Sequence, residues 1–256
     1  MTPEAAIAAL TADPATALVT LDYDGTLAPI VERPEDAVPA PGARAALAAC
    51  AAAFGTVAIV TGRPAEVVVA LGGLAEVEGL LVLGHYGEER WTRATGLVAP
   101  PEHPGLAAAG RLLTDLPDGV RVEEKGLSVA LHTRSAPESQ DAVTALAERV
   151  AAETGLAVNH GRHVVELRAP GARDKGDAIR ALVAERSPRS LLFAGDDLVD
   201  LPAYLAVAEF RANGGNGVGV FVDNPEAAAV RGHADVILDG TTAFVTFLRD
   251  RAEAAR

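Results

Sequence analysis

Two aspartates one residue apart, Asp22 and Asp24, stand directly after an apolar, partly β-branched run, Leu18-Val19-Thr20-Leu21. A buried strand that releases the chain into carboxylates places them at its carboxyl end, in the crevice where open α/β sheets bind ligands. Paired acids there can bind a metal ion or share the duties of nucleophile and acid. A plain turn, with Asp and Gly25 supplying its chemistry, is the competing reading. The pattern recurs at Gly195-Asp196-Asp197, which follows the run Leu191 to Ala194 and is followed by Asp200. An acid-rich helix start is the alternative at this second cluster. Carboxylates on several strand ends of one parallel sheet face one crevice and repel if unpaired. A hard divalent cation relieves that conflict, and oxygen-only ligands favour Mg²⁺ over zinc. Thr61-Gly62-Arg63 caps another apolar run with a hydroxyl and backbone N–H groups that suit an anion. Lys175 opens a helix, where a cation opposes the dipole preference, and a solvated lysine is the alternative there.

The elements that must position these groups alternate along the chain. A leading helix (3–11), a strand ending at Asp22, a helix (41–54) and a strand (56–60) form a βαβ unit. A helix over 64–71, a strand over 80–83 with the loop Gly84-His85-Tyr86-Gly87 at its end, and a hairpin over 88–98 follow. From Pro100-Pro101 to about Ala169 the pattern changes to a helix (106–116), strands over 120–124 and 127–133, a helix (137–154) and strands over 156–159 and 163–168. After Pro170-Gly171 the alternation resumes: helices over 175–185, 198–208, 225–230 and 241–254, with strands over 190–194, 218–222 and 234–238. The expected fold is α/β, a doubly wound, Rossmann-like parallel-sheet core over 1–101 and 170–256, with a smaller α/β domain inserted at 102–169.

Composition narrows the partners. The 256 residues are 49% hydrophobic, enough for a sizeable core, and the net charge of −13 argues against nucleic acid or an anionic membrane as partner. The amino terminus has no basic residue before Arg33, no apolar run spans a bilayer, and Cys50 stands alone, so the cytoplasm is the expected address, without an internal disulfide. Cys50 reads as a small core residue. His85, His103, His160, His163 and His233 lack metal-ligand spacing and are expected as solvated or loop histidines. Of 22 basic residues only Lys125 and Lys175 are lysine. Their survival against an arginine bias suggests sites that need a compact ammonium.

In this order the residues resemble the haloacid dehalogenase superfamily of phosphatases: Asp22 to Thr26 match DxDGT, Thr61 the second motif, Lys175 the third, and Asp196, Asp197 and Asp200 the GDDxxD motif. The resemblance implies that Asp22 attacks phosphorus to form an aspartyl phosphate while Asp24 protonates the leaving oxygen and later activates water. It implies Mg²⁺ held by Asp22, the Asp24 backbone carbonyl and Asp196, with Asp197 and Asp200 assisting, and a phosphoryl group held by Thr61, Gly62 and Lys175. The insert lies where the superfamily carries a substrate cap. Val122 to Arg134, His163 to Leu182, LDYDGTLAPI and the GHYGEE loop look like the trehalose-6-phosphate phosphatase family. That likeness implies a small sugar phosphate as substrate, with Glu123, Lys125 and Glu166 binding sugar hydroxyls and phosphate, and His132 and Arg134 lining the cap; a monomer is the expected state. Solvated charges on outward strand positions are the alternative for these cap residues. Other sugar phosphates, those of sucrose, mannosylglycerate or a hexose, and a silent sugar-phosphate-binding regulator are the rival functions. Two departures stand out: Val199-Asp200-Leu201 replaces the family's common Thr-Asp-Glu, and Tyr86 stands where His is common.

Overall fold

The computed structural model describes residues 2–161 and 163–256. They form two compact units, one running to Ala99 and resuming over Arg173–Arg256, the other Pro100–Ala172. Through Val98 the first unit contains α1 (Pro3–Ala12), β1 (Ala17–Leu21), α2 (Ala43–Ala53), β2 (Thr56–Val60), α3 (Ala65–Gly72), β3 (Leu80–Gly84), β4 (Glu89–Thr92) and β5 (Gly96–Val98). The second unit holds α4 (Pro104–Leu112), β6 (Arg121–Glu124), β7 (Ser128–His132), α5 (Gln140–Thr154), β8 (Ala157–Gly161) and β9 (Val164–Arg168). The first unit resumes with α6 (Lys175–Arg186), β10 (Ser190–Gly195), α7 (Leu201–Ala212), β11 (Asn216–Val222), α8 (Ala228–Arg231), β12 (Val236–Leu238) and α9 (Gly240–Ala254).

The large sheet runs β12-β11-β10-β1-β2-β3-β4-β5. Its strands are parallel from β12 to β3, and the β4–β5 hairpin adds antiparallel at one edge. β1 is buried at every residue, and alternation sends Ala17, Val19 and Leu21 into one apolar cluster and Leu18 into the other. The first cluster includes Leu10 of α1, Leu47 and Cys50 of α2 and Phe244 of α9; the second includes Ile179 of α6 and Tyr204 of α7. Such two-sided burial is why these strands read as near-continuous apolar runs. α2 illustrates the helical counterpart, because Ala43, Ala46, Leu47 and Cys50 fall on one buried stripe. Sequential strands step away from β1 on one side to β2 and on the other to β10, so β1 lies at the switch point where such sheets open a crevice.

In the second unit the antiparallel order is β6-β7-β9-β8. Val129, Leu131, Val165 and Leu167 join Leu106 of α4 and Val143 and Val150 of α5 in a separate core. The strand period therefore turns Ser128, Ala130, His132, Glu166 and Arg168 to the opposite face.

Several elements differ from their sequence-based bounds for local reasons. The helix expected over 106–116 stops at Leu112; Asp115 lies in the left-handed region and Pro117 follows, neither of which continues a helix. The helix over 198–208 opens as a 3-10 turn, Leu198–Asp200, before α7 continues to Ala212. The segment 225–230 is a 3-10 turn followed by the short α8. Among the described residues no helix is long and apolar enough to cross a membrane.

Candidate active site

Beyond Leu21 the backbone N–H of Asp22 still donates to the Ala194 carbonyl at 2.8 Å, so β1 delivers this residue in register with β10. Tyr23 turns into the core, with its hydroxyl donating to the Ala37 carbonyl at 2.8 Å, which directs Asp22 and Asp24 away from it. The carboxylates of Asp22, Asp196 and Asp200 are all buried and offer oxygens within 4.8 Å of one another. The Lys175 ammonium lies 2.5 Å from Asp22 Oδ1 and 2.6 Å from Asp200 Oδ1, itself only 2% exposed. Lys175 is thus no solvated surface residue. Asp174 places it by capping α6 reciprocally with Asp177.

Three buried carboxylates facing one ammonium leave an excess of negative charge. Burial drives the Asp22 carboxyl well above the usual range, Lys175 opposes it, and Asp200 and Asp196 add to the rise. Asp196 is pushed to about 8, first by burial and then by Asp200. For Lys175 burial acts downward, but Asp200 and Asp22 outweigh it and hold the ammonium above its ordinary range. Asn224 donates to Asp196 Oδ2 at 3.0 Å, whereas Asp196 Oδ1 is buried without a hydrogen-bond partner. An orphaned carboxylate oxygen beside other carboxylates, all hard donors, fits a divalent cation. The loop is shaped for that approach: Gly25 has φ 76°, and a Cβ there would lie 2.0 Å from Asp196 Oδ2.

The five acids expected around a cation separate here. Asp200 uses Oδ1 for Lys175 and Oδ2 to accept the Asp196 and Asp197 N–H groups at 2.9 and 3.0 Å, so it orients as much as it faces the cluster. Asp197 is exposed, accepts the Leu198 N–H at 2.6 Å and has no carboxylate oxygen in the cluster. Asp24 is expected at the cation by its backbone carbonyl, and its carboxylate is not among the clustered oxygens. Its two oxygens accept from Arg63 Nε at 2.6 Å and Nη2 at 2.7 Å, and Arg63 Nη1 reaches the Pro34 carbonyl at 2.8 Å. Thr61 is buried, its Oγ1 accepting the Arg63 N–H at 3.1 Å, which leaves the hydroxyl proton for another acceptor. Leu201, where an acid is common, packs against the α6–α7 core cluster, and Asp200 is fully held without it.

In the second unit, cross-strand register aligns Glu123 with Ala130 and Ala130 with Glu166. Glu123 Oε2 accepts from His132 Nε2 at 2.7 Å, and that bond, against the opposing effect of burial, lowers its carboxyl to about 2. Glu166 Oε1 accepts from Ser128 Oγ at 2.8 Å and from Lys125 Nζ at 3.4 Å. Glu123, Lys125, His132 and Glu166 thus share one polar face floored by the small Ala130. Arg134 lies past the end of β7 and is exposed.

A trehalose-phosphatase family model matches residues 20–235. The chain belongs to that family. A trehalose-6-phosphate phosphatase of Escherichia coli is 33% identical over 194 residues, 73% of this chain and 71% of that protein. A Mycobacterium tuberculosis protein described as an uncharacterized glycosyl hydrolase is 36% identical over 256 aligned positions, which take in 91% of this chain and 18% of the relative, so the chain spans under a fifth of that protein's length. A solved structure of a trehalose-6-phosphate phosphatase related protein superimposes with a TM-score of 0.71 at 25% identity, covering 92% of this chain and 97% of that one.

This trehalose-phosphatase family member also uses residues that motif reading passed over. Arg63 was visible only as the third residue of Thr61-Gly62-Arg63, and in an arginine-rich chain nothing marked it as the partner of Asp24. Ser128 carries no motif; its part beside Glu166 follows from register. Glu89 is buried and accepts the Ala65 N–H at 2.6 Å, tying β4 to the start of α3, and burial raises its carboxyl pKa. His85 is a loop histidine, in the turn after β3, but not a solvated one: it is 1% exposed, with Nε2 3.7 Å from Glu89 Oε1. His103 caps α4, its Nδ1 accepting the Gly105 N–H at 3.1 Å.

Proposed function

We propose that the protein is a Mg²⁺-dependent phosphatase that hydrolyses trehalose 6-phosphate to trehalose and inorganic phosphate. The observation that carries this reading is the Asp22 carboxylate, buried at the switch point of the sheet, in contact with Lys175 and beside the orphaned Asp196 oxygen. Asp22 is the nucleophile: an oxygen of its carboxylate bonds to phosphorus as the bond to the sugar oxygen breaks. Asp24 gives that departing oxygen a proton, since an alkoxide leaves poorly. A water then attacks phosphorus, Asp24 takes its proton, and cleavage of the acyl phosphate releases phosphate and restores Asp22. In the Arg63 fork both Asp24 oxygens are occupied, so the proton transfers require one of those bonds to open. Lys175 and the Thr61 hydroxyl, with the Gly62 N–H, neutralise charge on the phosphoryl oxygens. Asp22 and Asp196, oriented by Asp200, would hold Mg²⁺, which supplies charge neutralisation and a fixed phosphoryl orientation.

The cap face carries the choice of sugar. Ionised Glu123 and Glu166 are acceptors only and Lys125 is a donor only, a set that reads hydroxyl groups in fixed directions. A phosphate-release panel of trehalose 6-phosphate, sucrose 6-phosphate and glucose 6-phosphate tests the assignment. Trehalose 6-phosphate should lead in kcat/KM by at least about tenfold. Parity with glucose 6-phosphate would overturn the sugar, and turnover unaffected by EDTA would overturn the metal.

A further inference from the structure

Three successive residues, His85 (φ 46°), Tyr86 (φ 58°) and Gly87 (φ 96°), lie in the left-handed region. Gly87 adopts it freely, but a bulky side chain there is strained and persists only when its surroundings hold it. They do so from two sides. The Tyr86 N–H donates to the Thr61 carbonyl at 2.8 Å and the His85 N–H to the Arg63 carbonyl at 3.0 Å, stitching the turn to the loop after β2. On the other side a Cβ on Gly87 would sit 3.0 Å from Ala178 Cβ of α6, and the Arg173 N–H donates to Glu88 Oε1 at 3.0 Å, tying the turn to the helix that carries Lys175. The strained turn therefore bridges the two segments that hold the phosphoryl group in the reading above.

The consequence of that geometry is the position of one hydroxyl. A Cβ built on Gly62 would meet Tyr86 Oη at 2.6 Å and Cζ at 2.7 Å, so the phenol tip rests directly on Gly62, next to the buried Thr61. The close approach requires glycine at 62, and the left-handed backbone at 86 is what aims the ring there. We propose that Tyr86 is a further phosphate-contacting residue, its hydroxyl donating to a phosphoryl oxygen beside Thr61 and its ring closing that side of the anion site against water. This inference rests on the phosphatase reading. A neutral donor suits the place, because Lys175 already supplies the cation and a hydroxyl bonded to an ionised acceptor makes a strong hydrogen bond.

The test uses the full chain with Mg²⁺ in three forms: wild type, Tyr86→Phe and Tyr86→His. Inorganic phosphate is titrated into each by calorimetry and used as an inhibitor of turnover, and Tm is measured alongside. The expected result is a Kd and a Ki for phosphate roughly tenfold weaker in Tyr86→Phe, the loss of one hydrogen bond to a charged group, with Tm within about 2 °C of wild type. Tyr86→His, which restores a donor, should recover most of the loss. Phosphate affinity within twofold of wild type in Tyr86→Phe overturns the proposal. So does a weakening that comes with a large fall in Tm and is not recovered by histidine, because the ring would then be a structural wedge. Should wild type release no phosphate from trehalose 6-phosphate, the substrate reading fails, while the phosphate titrations still decide the role of Tyr86.

Discussion

Asp196 shows the conflict on which the site is built. Its carboxylate is buried beside two others, one oxygen is bonded only to Asn224 and the other has no partner. In metal-free protein that charge is a cost, because desolvation and like charges both oppose ionisation. Asp196→Asn should therefore raise the Tm of the metal-free protein, by roughly 2–4 °C per kcal/mol of repulsion relieved. The same change should abolish the Tm gain that Mg²⁺ confers on wild type, and turnover with it. Thermal scans with and without Mg²⁺ check both halves, and a metal-free variant less stable than wild type contradicts the account. Glu123 behaves oppositely. Its pKa falls from the ordinary 4.5 to about 2 through the His132 bond, so its contribution to stability is present above about pH 4.5 and is lost as pH falls toward 2. Glu123→Ala should be less stable than wild type at pH 6, and the gap should narrow steadily below pH 4.5 in acid unfolding curves.

At the scale of elements, the side chains of the candidate site are aimed by the ends of strands and the starts of helices. α6 begins at Lys175, an unfavourable place for a cation, and the reciprocal Asp174–Asp177 cap holds the helix start in position despite it. Asp174→Ala should cost about 1 kcal/mol of stability, read as a Tm lower by roughly 2–4 °C, and should reduce kcat more than KM because Lys175 loses its alignment. The loop after β1 imposes a steric demand of its own. Gly25→Ala meets both a left-handed φ and the Asp196 carboxylate at 2.0 Å, so Mg²⁺ affinity and kcat should fall at least tenfold. A Gly25→Ala protein with unchanged Mg²⁺ dependence would show that the loop is free to move aside.

For the whole molecule, the proposed function assigns chemistry and selectivity to different units. The first contains Asp22, Thr61, Lys175 and Asp196; the second presents Glu123, Lys125 and Glu166 on a sheet face with its own core. A change confined to that face should alter sugar binding without touching phosphoryl transfer. Glu166→Gln is expected to raise KM for trehalose 6-phosphate about tenfold or more while leaving kcat/KM for p-nitrophenyl phosphate within about twofold. Steady-state kinetics on the two substrates make the comparison, and an equal loss on both would place Glu166 in the phosphoryl chemistry.

Much of this was written locally. Runs such as Leu18 to Leu21 and Leu191 to Ala194 mark strands buried on both faces, and acids directly after them mark a crevice, because apolar burial and carboxylate solvation cannot share one position. Hence the α/β core was legible in one dimension, as were the strand-end and helix-start positions of Asp22, Thr61, Lys175 and Asp196. Partnership was not. The Asp24 carboxylate meets Arg63, 39 residues on, and Asp197 turns outward to cap a helical turn while Asp200 turns in. Ser128 stands beside Glu166 only through strand register, and Tyr86 reaches Gly62 only through a left-handed backbone that no side-chain pattern announces. Hydrophobic periodicity and strand ends depend on neighbours along the chain, whereas the direction a polar side chain takes depends on contacts closed across it, and those exist only once the sheet has formed.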